Sequence, residues 1–224
     1  MPDYVRQMRR EDIDRVLEID REAFPTEWPP PNFERELDNR LACYIVACRA
    51  EAGNIPDLVE AIRKSDPPEK GFAGLIYRVR KLFGNNRLPA KEPSARGDEV
   101  ITGFAGFWVL VDEAHITSIA TRKVYRRQGI GELMLQSVID LAAGKKARMV
   151  TLEVRVSNIV AQGLYTRYGF NQVGLRRGYY TDNREDAFVM TTDSIHSAAF
   201  RAHVRELKKT YRAKWGTDRY QLAH

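Results

Sequence analysis

The sequence predicts a mixed α/β domain that carries a loop insertion and a C-terminal helical extension. Strand-like and helix-like hydrophobic patterns alternate along residues 1–50 and 100–192. Residues 51–99 instead hold five prolines and many charges of both signs, and apolar residues recur at helical spacing near the C-terminus. We therefore divide the 224 residues into a domain at 1–192, with an insertion at 51–99, and an extension at 193–224.

The first fifty residues predict two strands and two helices. A short strand is expected over Tyr4–Met8, followed by a helix for which Asp12 is a candidate cap. A proline-rich segment ends that helix, and a second short helix over 32–37 leads into a strand at 41–49. Within the insertion, the pattern is consistent with two short helices, at 57–64 and 73–83.

From Val100 onwards, strand-like and helix-like hydrophobic patterns follow one another with short connections. Strands are expected at 100–111, 115–121 and 148–156, and near 170–178 and 186–192. The last two of these predict a long hairpin. Helices are expected from the glycine-containing turn at 126–131 to about 143, and from 158 to 168.

The C-terminal extension predicts one basic amphipathic helix. Its apolar stripe, at steps of three and four, consists of Phe200, Val204, Leu207, Tyr211 and Trp215. The stripe is expected to pack on the chain's own core or on a second subunit, so the protein is a monomer or a homodimer. Residues 194–224 hold seven Lys and Arg against two acids, which is typical of a solvated face or of contact with a ribosomal or RNA surface.

Composition excludes several classes of protein. Cys43 and Cys48 stand five apart on a predicted strand, so they point to opposite faces and are expected to be free thiols in a reducing compartment. The four histidines form no pattern of metal ligands, so we expect no metal. No apolar run approaches the length of a membrane span. We therefore predict a cytoplasmic protein with neither a membrane nor DNA as its partner.

A basic glycine turn follows the predicted strand 115–121. Its sequence is Arg126-Arg127-Gln128-Gly129-Ile130-Gly131, and a helical pattern comes directly after it. Glycines allow close approach of the backbone, and the first amides of a helix bind anions. The spacing R-x-x-G-x-G matches neither a P-loop nor a dinucleotide fingerprint. The turn predicts a phosphate site, although a tight turn with surface arginines would have the same sequence.

Two residues further along are candidates for proton transfer. Glu153 lies mid-strand on the face opposite Val150, Leu152 and Val154, where it could be a general base with a raised pKa or an ordinary ion-pair partner of Arg155. Tyr165 is either a core residue or a proton donor. Asn158 precedes the same predicted helix and is a candidate N-cap.

These pieces together resemble the acetyl-CoA core of the GNAT superfamily. The resemblance is carried by R-x-x-G-x-G, by Leu152-Glu153-Val154-Arg155-Val156-Ser157-Asn158, by Gly163-Leu164-Tyr165 and by Arg176-Arg177-Gly178-Tyr179-Tyr180. With Arg184-Glu185-Asp186-Ala187, the chain is similar to the bacterial N-terminal acetyltransferases of ribosomal protein alanine. The resemblance implies a GNAT fold with a mostly antiparallel central sheet flanked by helices.

The resemblance also implies roles for individual residues. Acetyl-CoA would be the co-substrate, with its pyrophosphate on Arg126 to Gly131, namely Arg126, Arg127, Gln128, Gly129, Ile130 and Gly131. Ile119, Ala120 and Thr121 would line the pantetheine arm, and Asn158 would also touch the cofactor. Glu153 would be the base and Tyr165 the acid for the CoA thiolate. The peptide groove would be flanked by loop residues Phe24, Trp28, Tyr179 and Tyr180.

The implied reaction is acetylation of a protein N-terminus, and the target would be the alanine of a small-subunit ribosomal protein. Direct attack by the amine requires no cysteine. An α-amine has a pKa of about 7.7–8.0 against about 10.4 for lysine, so it loses its proton more easily. Two alternatives remain: a GNAT enzyme that acts on a small amine or a protein lysine, and a non-catalytic CoA-binding protein of the ribosome or RNA.

Overall fold

Eight strands and five α-helices follow one another along the part of the chain that the structure describes. The structure is a computed structural model that describes residues 3–24, 31–50, 99–216 and 222–223. The strands are β1 (Asp3–Gln7), β2 (Ala42–Ala50), β3 (Glu99–Leu110), β4 (Glu113–Thr121), β5 (Met149–Arg155), β6 (Phe170–Tyr180), β7 (Glu185–Thr192) and β8 (Leu222–Ala223). The helices are α1 (Ile13–Ala23), α2 (Phe33–Asp38), α3 (Ile130–Gly144), α4 (Ile159–Arg167) and α5 (Ala198–Trp215).

The strands form one mixed sheet in the order β6-β7-β5-β4-β3-β2-β1-β8. The pairs β1–β2, β3–β4, β5–β7 and β6–β7 are antiparallel, whereas β4–β5 and β1–β8 are parallel. The expected mixed α/β fold, with a mostly antiparallel sheet and flanking helices, is therefore confirmed.

Each face of the sheet has its own hydrophobic core. On one face, α3, α4 and α5 contribute buried residues such as Leu133, Tyr165 and Val204. On the other face, α1 and α2 contribute Ile19 and Phe33. Alternation along β2 divides the two cysteines between these cores, with Cys43 in the first and Cys48 in the second, and neither forms a disulfide.

The two compact units of the chain are described to different extents. Residue 1 and residues 50–99 form one unit, of which only residues 50 and 99 are described, so the two helices predicted in the insertion lie outside the described residues. Residues 2–49 and 100–224 form the other unit. Among the described residues, no helix is both long and apolar enough to cross a bilayer.

The capping role predicted for Asp12 is wrong. Asp12 does precede α1, but its side chain makes no cap hydrogen bond to that helix. Both carboxylate oxygens instead accept hydrogen bonds from the buried guanidinium of Arg6, at 2.7 and 2.8 Å. The backbone amide of Arg9 donates to Asp12 as well. A buried arginine needs a paired carboxylate, and this requirement outweighs the local preference for a cap.

The extension folds back on the chain's own core. Ser197 caps α5 by accepting from the amide of Phe200 at 3.1 Å. Phe200, Val204 and Tyr211 are buried in the same core as α3, with Leu207 and Trp215 partly buried beside them. The helix is also held by Lys208, whose ammonium donates to both carboxylate oxygens of Asp140 on α3 at 2.5 and 2.6 Å.

Candidate active site

The sheet opens between its two central strands. β4 and β5 pair in parallel from Glu113 opposite Met149 as far as Ile116 opposite Leu152, and the pairing ends there although both strands continue. On the other side of β4, the register with β3 shifts at Thr117, which has no partner in the ladder. The two strands therefore separate just beyond this bulge, and β4 amides that face β5 are left without a strand partner.

Glu153 is the first residue of β5 beyond the last paired position. Its side chain is only 5 % exposed. One carboxylate oxygen, Oε2, lies 2.9 Å from Nε2 of His115, and the other, Oε1, lies 3.0 Å from a guanidinium nitrogen of Arg176. Parallel pairing places His115 opposite Thr151 on the face of the sheet that also carries Glu153. The carboxylate is thus fixed from two sides, by β4 and by β6.

These contacts decide the ionisation of Glu153. Burial raises the pKa of the carboxyl, but the hydrogen bond from His115, the electrostatic interaction with His115 and the charge of Arg176 together lower it by more. The net pKa lies below its ordinary value. The raised pKa predicted for Glu153 is therefore wrong, because two basic partners outweigh the desolvation that the sequence pattern indicates.

The alternative Glu153–Arg155 ion pair is also wrong. Arg155 donates to Asp182 at 2.8 and 3.0 Å and to Glu185 at 3.1 Å, and its guanidinium lies 3.8 Å from the ring centroid of Tyr180. Glu185 in turn accepts from the amide of Ser157, and hydrogen bonding to Ser157 lowers the pKa of Glu185 to about 2. Arg155 therefore ties the β6–β7 turn to the end of β5.

Tyr179 and Tyr180 end β6 rather than standing in a loop. The predicted strand stops near 178, but β6 continues to Tyr180, and the two rings pack edge to face with centroids 5.2 Å apart. Burial raises the pKa of both phenols, that of Tyr180 to about 12, and the nearby charge of Glu153 contributes to each shift. Both rings therefore lie within the electrostatic surroundings of Glu153.

Tyr165 lies on α4 in the core beneath these strands. Its side chain is 5 % exposed, and its ring packs against Phe170 with centroids 5.7 Å apart. Burial raises the pKa of Tyr165, and the interaction with Tyr180 raises it further. Tyr165 makes no side-chain hydrogen bond to another described residue. Its phenol is thus protonated at neutral pH, which a proton donor requires.

The basic glycine turn has the geometry of an anion site. Gly129 adopts φ +83° as the N-cap of α3, and Arg127 is also left-handed at φ +63°. The first hydrogen bond of α3 runs from the Leu133 amide to the Gly129 carbonyl at 2.9 Å, so the earlier amides of the helix have no acceptor within it. Arg126 Nε donates to the carbonyl of Thr121 at 3.3 Å, which joins the turn to the end of β4.

The structure brings most of the predicted cofactor residues together. Ile119, Ala120 and Thr121 form the last part of β4, beyond its pairing with β5. A Cβ added to Gly131 would lie 3.8 Å from Thr121 Oγ1, so the start of α3 adjoins this strand end. Asn158 is the N-cap of α4, where its side chain accepts from the Ala161 amide at 3.2 Å.

The two aromatic residues predicted before α2 are only partly described. Phe24 is the C-cap of α1 and is 38 % exposed. Trp28 lies outside the described residues. A groove of about 710 Å³ is lined by Asn32, Arg35, Glu36, Asp38, Asn39 and Trp108. Trp108 pairs with His115 across β3 and β4, so the groove lies on the sheet face that carries Glu153.

Two further site residues, His115 and Arg176, are not predicted from the sequence. His115 stands there as the start of a strand and as one of four histidines, and Arg176 as part of a motif. A signal was present, because His115 is the one titratable side chain of strand 115–121. Placing it beside Glu153 requires the register of two strands that are more than thirty residues apart.

The model of the Acetyltransferase (GNAT) family matches residues 55–170. The chain belongs to the GNAT family of acetyltransferases. It is accordingly an acetyl-CoA-dependent N-acetyltransferase, and the resemblance read from the motifs is confirmed.

Three proteins that are similar to this GNAT chain are named as N-acetyltransferases or N-alpha-acetyltransferases. A Bacillus subtilis protein, named provisionally as a ribosomal protein bS18-alanine N-acetyltransferase, is 35% identical over 83% of this chain and 92% of its own length. An N-alpha-acetyltransferase of Sulfurisphaera tokodaii is 32% identical over 83% of this chain and 90% of its own. The crystal structure of the ribosomal-protein-S18-alanine N-acetyltransferase from Escherichia coli superposes with a TM-score of 0.58 at 23% identity, covering 88% of this chain and 97% of that one.

The same GNAT fold includes a structure with its cosubstrate bound. A family member from Elizabethkingia anophelis in complex with acetyl-CoA has a TM-score of 0.52 and 15% identity, covering 85% of this chain and 97% of that one. In the described part of the present chain, no three His, Cys, Asp or Glu side chains are grouped so that they could hold a metal ion.

Proposed function

We propose that this GNAT enzyme acetylates the N-terminal α-amine of a protein, and that its target is the N-terminal alanine of a small-subunit ribosomal protein. The name of the Bacillus subtilis relative, which aligns along 83% of the chain, supports this target. The name of the Sulfurisphaera tokodaii relative supports acetylation of an α-amine. The geometric support is the ion-paired Glu153. Its lowered pKa makes it a weak base, and a weak base suits an amine that is already partly deprotonated at neutral pH.

The energetic difference between the two kinds of protein amine is large. An α-amine has a pKa of about 7.7–8.0, whereas that of lysine is about 10.4, so freeing a lysine costs about 3.5 kcal/mol more. Glu153 is ionised at neutral pH because His115 and Arg176 stabilise its charge. It is ready to accept a proton, but it has little driving force to take one from lysine.

The proposed reaction is a direct transfer. Acetyl-CoA supplies the acetyl thioester, and the turn from Arg126 to Gly131 holds its pyrophosphate beside the strand end Ile119–Thr121. Glu153 takes the amine proton through a water molecule, and the nitrogen lone pair then attacks the thioester carbonyl carbon. A free β4 amide stabilises the oxyanion. The carbon–sulfur bond breaks as Tyr165 gives its phenol proton to the departing thiolate. The nitrogen loses its second proton as the amide forms, this proton returns to the Tyr165 phenolate, and Glu153 releases its own proton to solvent.

The acceptor peptide would enter along the opposite side from the cofactor turn. Tyr179, Tyr180 and Phe24 would border the amine, with Trp28 as a further candidate, and the groove at α2 would take residues that follow the N-terminus.

The deciding experiment compares two peptides. One begins with a free alanine, and the other has the same sequence with a blocked N-terminus and one lysine. We expect CoA thiol release from acetyl-CoA with the first peptide only. Release with the blocked peptide would assign the enzyme to lysine acetylation, and silence with both, despite binding of acetyl-CoA, would favour a small-molecule amine or a binding role.

The exposed side of α5 supports contact with a ribosomal surface. Arg201, Arg205, Lys209 and Arg212 are exposed and stand at steps of four, four and three along the helix. A stripe of cations of this kind attracts RNA. If it contacts the ribosome, replacing Arg201 and Arg205 by Gln will weaken salt-sensitive co-sedimentation with small subunits and leave acetylation of the free peptide unchanged. A ribosome association of this type would place the enzyme in the cytoplasm.

A further inference from the structure

The last residue of α5 lies against the cofactor turn. A Cβ built on Gly129 would stand 2.8 Å from both Cε2 and Nε1 of Trp215 and 3.1 Å from Cδ1. The indole therefore covers the Cα of Gly129 and leaves no room for a side chain there. Trp215 is partly buried and belongs to the periphery of the main core.

The same turn is held from a second direction. Arg49 at the end of β2 donates to Gln128 Oε1 at 2.9 Å, and its guanidinium lies 4.9 Å from the ring centroid of Tyr125. Asp3 on β1 accepts from Arg49 at 2.7 and 3.0 Å, which orients the guanidinium. The turn is thus supported by the sheet at Gln128 and by the extension at Gly129.

The helix that carries Trp215 is rigidly placed. Besides its buried stripe, Lys208 pairs with Asp140 on α3, and Nε2 of His203 lies 2.8 Å from the carbonyl oxygen of Arg167 at the end of α4. These contacts fix α5 along its length, so that the indole at its end has a defined position relative to α3.

We propose that Trp215 is a positioning residue for acetyl-CoA: by packing on Gly129 it holds the pyrophosphate turn in its binding conformation. The inference rests on the acetyl-CoA dependence of the proposed function. Two backbone positions of the turn, Arg127 and Gly129, are left-handed. A turn of this shape binds an anion only while its amides are held in place, and an unsupported turn would lose entropy each time that it binds.

The test measures CoA binding directly, by calorimetry on the full chain. Trp215→Ala should weaken CoA binding about tenfold, which corresponds to about 1.4 kcal/mol. Trp215→Phe, which keeps an aromatic ring on Gly129, should restore most of the affinity. A matched control is Val204→Ala, which loosens the same helix eleven residues earlier, about 16 Å along its axis. It should lower the melting temperature but leave CoA affinity unchanged.

Steady-state kinetics provide a second measurement. Trp215→Ala should raise KM for acetyl-CoA and preserve kcat at saturation. It should also reduce the preference for acetyl-CoA over S-acetyl-pantetheine, which has no pyrophosphate. The proposal is overturned if Trp215→Ala binds CoA like the unaltered chain, or if Val204→Ala weakens binding equally. If the unaltered chain binds no CoA at all, the acetyltransferase function fails, which is a distinct result.

Discussion

At the scale of single residues, the balance between burial and pairing sets the chemistry of the site. Glu153 is almost fully buried, yet its pKa is lowered, because His115 and Arg176 each contact one of its oxygens. Tyr165 is buried without such partners, and its pKa is raised. The two groups are therefore held in opposite states, one ionised and one protonated, as a base and an acid require.

Removing His115 should reverse the shift at Glu153. In His115→Ala the hydrogen bond is lost and burial remains, so the pKa of Glu153 should rise. Carbon-13 NMR titration of glutamate carboxyls would follow it, with Glu153→Gln used to assign the resonance. Thr191→Ala, outside the contacts of Glu153, is a suitable control. An unchanged titration in His115→Ala would mean that Arg176 alone stabilises the carboxylate.

The proposed acid and base predict separable kinetic effects. Glu153→Gln should lower kcat about 10²-fold or more, the usual contribution of general base catalysis, and leave CoA affinity unchanged. Tyr165→Phe should slow the departure of the thiolate while the ring still packs on Phe170. Stopped-flow detection of the thiol would measure both. Turnover at the normal rate in either variant would remove that residue from the mechanism.

The site residues that the sequence predicts stand in local patterns, whereas the site residues that it misses are brought in by strand pairing. The motifs identify Glu153, Tyr165 and the glycine turn, because each stands in a local pattern of strand, turn or helix. The partners His115 and Arg176 come from separate strands, and only the pairing of β4 with β5, and of β5 and β6 with β7, brings them to Glu153. The pKa of Glu153 was predicted in the wrong direction for this reason.

At the scale of elements, the join between β4 and α3 carries the cofactor turn, and its conformation depends on Gly129. A residue at φ +83° with the Trp215 ring against its Cα has two reasons to be glycine. Gly131, two residues later, has no left-handed φ, and a Cβ there would make an ordinary van der Waals contact, 3.8 Å from Thr121 Oγ1. The two glycines of R-x-x-G-x-G thus have different physical requirements.

This difference can be measured. Gly129→Ala should destabilise the chain by about 1–2 kcal/mol or more, because it adds left-handed strain and a clash with the indole. Gly131→Ala should be neutral or stabilise α3 by up to about 1 kcal/mol, since alanine is the better helix former. Urea unfolding without CoA compares the two directly. Equal losses in both variants would contradict the packing of Trp215 on Gly129.

Most elements are predicted within a few residues of their bounds. The hairpin near 170–192, the helix after the glycine turn and the amphipathic extension all follow from periodicity, and α5 occupies Ala198–Trp215. The error at Asp12 has a tertiary cause, the buried Arg6 on a neighbouring strand. The two extra residues of β6 are stabilised by pairing of Tyr180 with Glu185, which local pattern does not reveal.

At the scale of the whole molecule, the sheet separates two hydrophobic cores, and each core contains one cysteine whose reactivity would show whether that core has opened. Cys43 and Cys48 are both buried, and burial raises the pKa of Cys43. Neither thiol should react with a thiol reagent such as DTNB in the native state, and both should react once the chain unfolds in urea. The melting temperature should be the same with and without reductant. Rapid modification of Cys48 alone would show that the core beneath α1 and α2 opens independently.

The parallel pairing of β1 with β8 has a consequence for synthesis of the protein. Val5 lies opposite Leu222, and Arg6 opposite Ala223, so β1 finds this neighbour only after more than two hundred further residues have been added. Until then, a nascent chain on the ribosome carries β1 as a bare sheet edge, which can pair with another nascent chain. Synthesis of β8 thus closes an edge that stays open while the residues between the two strands are made.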